Sequence, residues 1–165
     1  MAFRETVDLT QYPDLVVVYL GMRVESLRGL GTIIATGPRI QKAVDARPDG
    51  LLLHENLLLG LFPLHVGMRQ YWRDLASLEK WTRQSPHLDW WKGFHKDPKG
   101  TSFWHEAYFL RGGIDSVYVN TSAPVGMQRF APRVGAHGSM SSGRMRVGRT
   151  QGASPSPPDD LYPQH

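Results

Sequence analysis

The pattern of apolar and polar positions predicts a strand over residues 101–110 that carries one ionisable group on each face. Successive side chains of a strand point to opposite sides of a sheet. One face therefore holds Phe103, His105, Ala107 and Phe109, and the other holds Trp104, Glu106, Tyr108 and Leu110. Because both faces are largely apolar, we expect cover on both sides. His105 and Glu106 then either bond to neighbouring segments or serve a ligand pocket.

The remaining pattern predicts further strands and four helical segments. Near-continuous or β-branched apolar runs indicate strands over 14–24, 51–59, 64–73 and 114–120. The last of these is expected to pair antiparallel with 101–110 across a turn at 111–113. Helices are predicted near 25–35, over 38–46, after a cap at Asp74, and over 86–95, where Ser85 caps and Pro86 takes the first helical position.

The order of these elements is β, α, β, β, α, β, β, with each of the two pairs of closely spaced helical segments counted as one. This order predicts an α+β fold, a ferredoxin-like βαββαβ sandwich with an antiparallel sheet. Helices cover one face of such a sheet, yet the strands are apolar on both faces. We therefore expect a homodimer in which two sheets pack back to back and enclose a dimeric α+β barrel.

Composition divides the chain into three parts. Residues 1–13 form a short arm, residues 14–133 form the ferredoxin-like domain, and residues 134–165 are rich in Gly, Ser, Arg and Pro. The last segment has too few large apolar groups to offset its ordering entropy, so it is predicted to be disordered.

Charge and cysteine content exclude several classes of function. The chain has no cysteine, which excludes disulfides, thiolate metal sites and a cysteine nucleophile. Of the net charge of +4, residues 129–165 account for +3, with five arginines against two aspartates, so the body is nearly neutral and nucleic-acid binding is not expected. Apolar runs shorter than about 20 residues predict no membrane span. Without a signal peptide, a cytoplasmic location is expected.

An ordered set of motifs resembles a known family. The set comprises Gly21-Met22-Arg23, Gln70-Tyr71-Trp72-Arg73, His87-x3-Trp91-x2-Phe94, Trp104-His105-Glu106-x-Tyr108, Tyr118-x-Asn120 and Gly126-Met127. It is similar to the small monooxygenase family typified by the fungal fumagillin-pathway monooxygenase, over about Asp14 to Met127. That family is similar to antibiotic-biosynthesis monooxygenases, which form dimeric α+β barrels. Asp115, Ala107 and Thr121-Ser122 depart from the family pattern at the edge of the expected pocket.

The resemblance implies an oxidoreductase of secondary metabolism that acts on a flat or polyene hydrophobic molecule with O2, without metal or flavin. A base removes a substrate proton, and the carbanion passes an electron to oxygen in an apolar pocket. Candidate catalytic residues are His105, Glu106 and His87. Candidate substrate-binding residues are Arg23, Tyr71, Trp72, Arg73, Trp91, Trp104, Tyr108 and Asn120. Regular alternation prevents His105 and Glu106 from lining one cavity together.

Two other functions stay open from the sequence. Ferredoxin-like dimers also house haem proteins such as aldoxime dehydratases and haem degraders, and seven histidines and five tryptophans allow a haem site. A non-catalytic dimer that binds an aromatic metabolite is also compatible with the pattern. A zinc site is not expected, because His54-Glu55 and His105-Glu106 lack the spacing of a helical His-x3-His site.

Overall fold

The computed structural model describes residues 3–110, 118–119, 124 and 126–138. The chain divides into two compact units. One comprises Val16–Tyr108, and the other comprises the described parts of Met1–Leu15 and Phe109–Pro157. The strands and helices in chain order are β1 Arg4–Val7, β2 Val16–Val24, α1 Leu27–Asp45, β3 Leu51–Leu61, β4 Leu64–Trp72, α2 Leu75–Thr82, α3 His87–Lys96, β5 Thr101–Phe109, β6 Tyr118–Val119, a 3-10 helix Gly126–Arg129, and β7 Arg133–Gly135.

The larger unit is built on a four-stranded sheet with the strand order β3-β4-β2-β5. Strand β4 pairs antiparallel with both β2 and β3, and its register places Val16 opposite Trp72 and Arg23 opposite His65. With α1 between the first two strands of this unit and α2 and α3 between the last two, this is the predicted ferredoxin-like arrangement. The prediction of fold class is confirmed.

Local sequence signals explain where several elements begin and end. The Asp74 side chain accepts a hydrogen bond from the Ser77 backbone N–H and so caps α2, as predicted. The turn before β3 ends at Gly50, whose φ is +83°, and a Cβ there would lie 2.3 Å from the Ser77 Cβ. None of the helices in the described part of the chain is long and apolar enough to cross a membrane.

The prediction of two helices between residues 25 and 46 is wrong, because α1 is one helix with Pro38 inside it. A proline in a helix interior costs about 3 kcal/mol. The apolar face of α1 continues across this point, since Ile33 and Ile40 stand on either side of Pro38 and both line the same cavity. We attribute the continuous helix to the packing of this shared face.

The predicted pairing of residues 114–120 with the preceding strand is also wrong for the part described. Tyr118 and Val119 pair antiparallel with Glu5 and Arg4 of β1, while β5 lies beside β2 in the other sheet. The expected turn at 111–113 lies outside the described residues.

The predicted arm and the predicted disordered segment each contain strand residues. The arm contains β1, and Val134 and Gly135 belong to β7, which pairs with β1. In this smaller unit β1 is the central strand of the order β6-β1-β7 and buries Thr6 and Val7. Pairing on both sides explains how a short polar segment becomes ordered.

Trp72 is the largest fully buried side chain of the described core, with an exposure of 0%. Its indole N–H donates to Gln70 Oε1 at 3.1 Å, and its ring lies 5.3 Å from that of Trp81. Because the side chain combines apolar burial with a satisfied polar group, its loss leaves both a cavity and an unpaired acceptor.

We expect the Trp72→Ala substitution to lower the free energy of unfolding by about 3–5 kcal/mol, as is typical for a buried tryptophan. Urea denaturation measures this loss. The control is Leu58→Ala, because Leu58 is 61% exposed; its effect should stay within about 0.5 kcal/mol. Equal effects of the two substitutions would contradict the assignment of Trp72 to the core.

Candidate active site

A cavity of about 650 Å³ lies between α1, α2, α3 and the helix-covered face of the sheet. We call this cavity the groove. Its apolar lining comes from all these elements: Leu20, Met22, Ile33, Ile40, Val66, Met68, Trp81, Trp90, Trp91, Phe94 and Phe103. A largely apolar concave site of this size suits a small organic ligand.

Aromatic rings form one wall of the groove. Phe103 of β5 packs edge-on against Trp91, with ring centroids 5.7 Å apart, and lies 5.6 Å from Phe94. Trp91 and Phe94 belong to the stripe on α3 that the helical spacing predicts. Trp90 also lines the groove, although the sequence pattern did not single it out.

His87 stands at the start of α3 and lines the groove between two tryptophans. Its ring lies 4.7 Å from Trp81 and 6.3 Å from Trp90. Because a carbonyl oxygen only accepts, the 3.2 Å bond to Thr82 O identifies His87 Nδ1 as the protonated nitrogen. Burial lowers the pKa of His87, with an opposing contribution from the Thr82 carbonyl. The neutral ring therefore carries its basic lone pair on Nε2.

His105 lies on the helix-covered side of β5, next to the groove. Its ring is 6.2 Å from that of Phe103, which does line the cavity. Burial lowers the pKa of His105, while the neighbouring charge of Glu106 raises it. His105 thus belongs to the environment of the groove without contributing to its lining surface.

The opposite face of the sheet holds four of the other predicted residues, namely Glu106, Trp104, Tyr108 and Tyr71. The Trp104 indole donates to His65 Nε2 at 2.9 Å and packs over Gly21, as the alternation of β5 requires. Tyr71 is buried beneath Arg69, whose guanidinium lies 5.5 Å from the ring centroid. Tyr108 donates to Glu106, and both are exposed. These side chains do not meet His87 or Trp91.

The remaining predicted residues occupy other environments. Arg23 is half exposed at the end of β2, 4.0 Å from Glu25. Arg73 forms ion pairs with Asp49 at 3.0 Å and Asp74 at 2.8 Å, outside the groove lining. Trp72 is buried in the core, and Asn120 lies outside the described residues.

A chain of side-chain hydrogen bonds forms a polar wall that the sequence pattern did not reveal. We call it the amide chain, and it runs from the core to the surface through Trp72, Gln70, His54, Asn56, Gln41 and Asp45. Three of its members, Gln70, Asn56 and Gln41, line the groove. One signal in the sequence is consistent with this chain of bonds. His54 and Asn56 are two residues apart on one strand, so their side chains lie on the same face.

No group of three His, Asp or Glu side chains among the described residues is arranged to hold a metal ion. The polar groups that the groove does contain are the amide chain, His87 and charged residues such as Arg39 and Lys99. The arrangement can bind a flat apolar molecule, accept a proton at His87, and offer hydrogen bonds from the amide wall.

The fold and the groove define a ferredoxin-like α+β protein with a pocket for a small organic molecule. The profile of the monooxygenase af470-like family matches residues 15–127, which is more than half of the chain. The chain belongs to this family. The resemblance inferred from the ordered motifs is confirmed at the level of the family.

Solved structures share the fold at low sequence identity. Aldoxime dehydratase is 18% identical with a TM-score of 0.63, over 90% of this chain and 44% of that enzyme, so the chain spans less than half its length. SnoaB, a cofactor-independent oxygenase from Streptomyces nogalater, is 14% identical with a TM-score of 0.47, over 62% of this chain and 99% of that one.

A protein from Deinococcus radiodurans that is described as an antibiotic biosynthesis monooxygenase is 16% identical to this chain. The two share a TM-score of 0.48 over 61% of this chain and 97% of that one. No curated protein sequence matches the chain significantly. At these sequence identities, the structural similarity shows a shared fold and does not identify a substrate.

The histidines near the groove predict a loss of stability in mild acid. Burial lowers the pKa of His54, His87 and His105 below 6.5. The unfolded chain then binds more protons than the native protein below that pH, so the free energy of unfolding should fall as the pH drops from about 6.5 through the lowered values. Urea denaturation at pH 7.5 and pH 5.0 measures this, and His87→Phe should reduce the difference. Equal stability at both values would contradict it.

Proposed function

We propose that the groove is the active site of an oxygenase that acts on a flat or polyene hydrophobic molecule with an acidic C–H or O–H group. The single observation that carries this proposal is the placement of neutral His87 in the wall of a 650 Å³ apolar cavity. An apolar cavity excludes water from a carbanion, and a neutral imidazole accepts a proton near pH 7.

The reaction follows from these parts. His87 Nε2 takes a proton from the substrate, and the substrate anion passes one electron to O2, which gives a substrate radical and superoxide. Their recombination forms a C–O bond and a hydroperoxide, and loss of water leaves a carbonyl. The imidazolium returns its proton to the peroxide, one oxygen atom stays in the substrate, and the other leaves as water. All four electrons that reduce O2 come from the substrate CH2 carbon that becomes the carbonyl, so the step requires no added reductant.

The aromatic wall orients the substrate. The rings of Trp91 and Phe103 are inclined to each other at an interplanar angle of 67°, so their faces point in different directions. A flat molecule gains from offset or edge-to-face contacts with such rings. We assign Trp90 and Trp91 as substrate-binding residues, with Phe103 at the same wall. His105, beside Phe103, is the second candidate for the base.

Haem binding is the second candidate function, and the His87 geometry favours it. A ligating histidine commonly donates its other ring N–H to a carbonyl, as His87 donates to Thr82 O. His87 would then hold the iron, and Arg39 and Lys99 in the groove lining would pair with propionates. Haem would supply redox or Lewis-acid chemistry. A stoichiometric Soret band on titration would favour this function.

We further propose that two chains pack through the sheet face that carries Tyr19, Trp104 and Tyr108. Tyr108 is 51% exposed on this face, and the rings of Tyr19 and Trp104 on the same face lie 4.7 Å apart. Burial of this face against a second copy would remove apolar surface from water. Light scattering should give about twice the chain mass of 18.6 kDa; a single-chain mass would contradict the dimer.

Replacement of the proposed base should slow turnover strongly. We expect His87→Gln to lower oxygen uptake with anthrone by about 10²- to 10⁴-fold, which is the usual contribution of a general base. An oxygen electrode measures the rate, and product analysis should show the corresponding quinone. His105→Gln tests the second candidate in the same assay.

The matched control is His137→Gln, because His137 is exposed and belongs to the smaller unit. Its oxygen uptake should equal that of the unmodified protein. Full uptake in His87→Gln together with loss in His105→Gln would move the base to His105. Full uptake in both variants would contradict histidine catalysis in the groove.

A further inference from the structure

The amide chain has a fixed hydrogen-bond direction along its whole length. The Trp72 indole only donates, so Gln70 Oε1 must face it and Gln70 Nε2 must face His54. His54 Nδ1 therefore accepts at 3.1 Å, and its Nε2–H donates to Asn56 Oδ1 at 3.1 Å. The orientations of the Gln70 amide and the His54 ring therefore follow from the Trp72 indole, which donates but cannot accept.

The same direction continues to the surface. Asn56 Nδ2 donates to Gln41 Oε1 at 3.1 Å, and Gln41 Nε2 donates to Asp45 Oδ1 at 2.8 Å. The chain thus ends on a carboxylate, which accepts the last of five bonds. Bonds that run in one direction polarise each other, so the amide orientations support one another.

The amides of Gln70, Asn56 and Gln41 also line the groove, so the direction of their hydrogen bonds affects what a ligand meets there. Each NH2 group has a second N–H and each carbonyl a second lone pair beyond the bonds of the chain. Trp90, Trp91 and Phe103 also line the groove. A flat ligand that contacts these rings has hydrogen-bonding partners for an oxygen substituent along the amide chain.

We propose that the amide chain is the specificity-determining wall of the groove, which binds a phenolic or carbonyl oxygen of the substrate, and that His54 is its positioning residue. This inference rests on the proposed function and names the substrate class as oxygenated aromatic molecules. Asn56 carries the direct contact because it is exposed, whereas Gln70 is 1% exposed at the floor. His54 acts through both amides.

His54 makes the wall sensitive to acid. A protonated ring has N–H at both nitrogens, so it cannot accept from Gln70 Nε2, and the chain breaks at that bond. Burial lowers the pKa of His54, whereas the bond to Asn56 and the charges of Asp45 on α1 and Glu55 on the same strand raise it. Glu55 is itself paired with Arg69 at 2.8 Å.

The test compares the affinities for 1-naphthol and naphthalene, measured without oxygen through quenching of tryptophan fluorescence. The unmodified protein should bind 1-naphthol about three- to tenfold more tightly, which is the gain from one net hydrogen bond. Asn56→Leu and His54→Phe should reduce this ratio to near one. Gln84→Leu, an exposed glutamine outside the groove, should keep the ratio.

A second readout isolates the positioning role of His54. In a His87→Gln background, which removes the titration of His87, the ratio should fall as the pH drops from 7 to 5. The same background with His54→Phe should show a low ratio at every pH. Circular dichroism checks that each variant is folded, and Asn56→Leu carries the test if His54→Phe is not.

Retention of the full ratio in Asn56→Leu would overturn the proposal, because the oxygen would then bind elsewhere, for example at His87. Equal affinity for the two probes in the unmodified protein would overturn it as well. Since these measurements require no turnover, absence of oxygen uptake would count against the proposed reaction and not against the amide wall.

Discussion

The constraint on which this structure depends is the register of β2, β3 and β4. That register determines which side chains face the helices and which face the other side of the sheet. It places His54 opposite Gln70 and Tyr19 opposite Arg69. A shift of one residue would exchange the two faces and remove both the groove lining and the amide chain. The backbone ladder is therefore a requirement of the site as well as of the fold.

The two sheet faces separate two kinds of environment. The helix-covered face provides a largely apolar groove with a neutral histidine, and the side chains of the amide chain are hydrogen-bonded to each other. The other face carries paired groups such as Arg69 with Glu55 and Trp104 with His65. A buried polar group without a partner would cost about 1–3 kcal/mol. The amide chain meets this requirement inside an otherwise apolar cavity.

Local signals in the sequence were sufficient for most of the larger unit. The β-branched run after Pro13, the Asp74 cap and the stripe of His87, Trp91 and Phe94 each depend on residues close together in the chain. The prediction therefore recovered the strands of this unit, the ferredoxin-like order and the stripe on α3. Of the aromatic side chains predicted to form the pocket walls, Trp91 lines the groove, whereas Tyr71, Trp72, Trp104 and Tyr108 do not. The separation of His105 from Glu106 also followed, because alternation is a local property of a strand.

Features that depend on distant pairings were not predictable in this way. The partner of Tyr118 and Val119 is β1, more than a hundred residues earlier in the chain, and no turn signal specifies it. The continuity of α1 through Pro38 depends on packing over the sheet. The amide chain requires the β3–β4 register and the position of Gln41 on α1 together. Spacing could not identify these contacts, so the sequence pattern predicted no role for His54.

The central claim is that the ligand binds in the groove between the helices and the sheet. The most direct measurement is a crystal structure of the protein with 1-naphthol. We predict density for the ring system against Trp90 and Trp91, with its oxygen within hydrogen-bond distance of Asn56. Ordered ligand on the opposite sheet face, beside Trp104 and Tyr19, with an empty groove, would contradict the account.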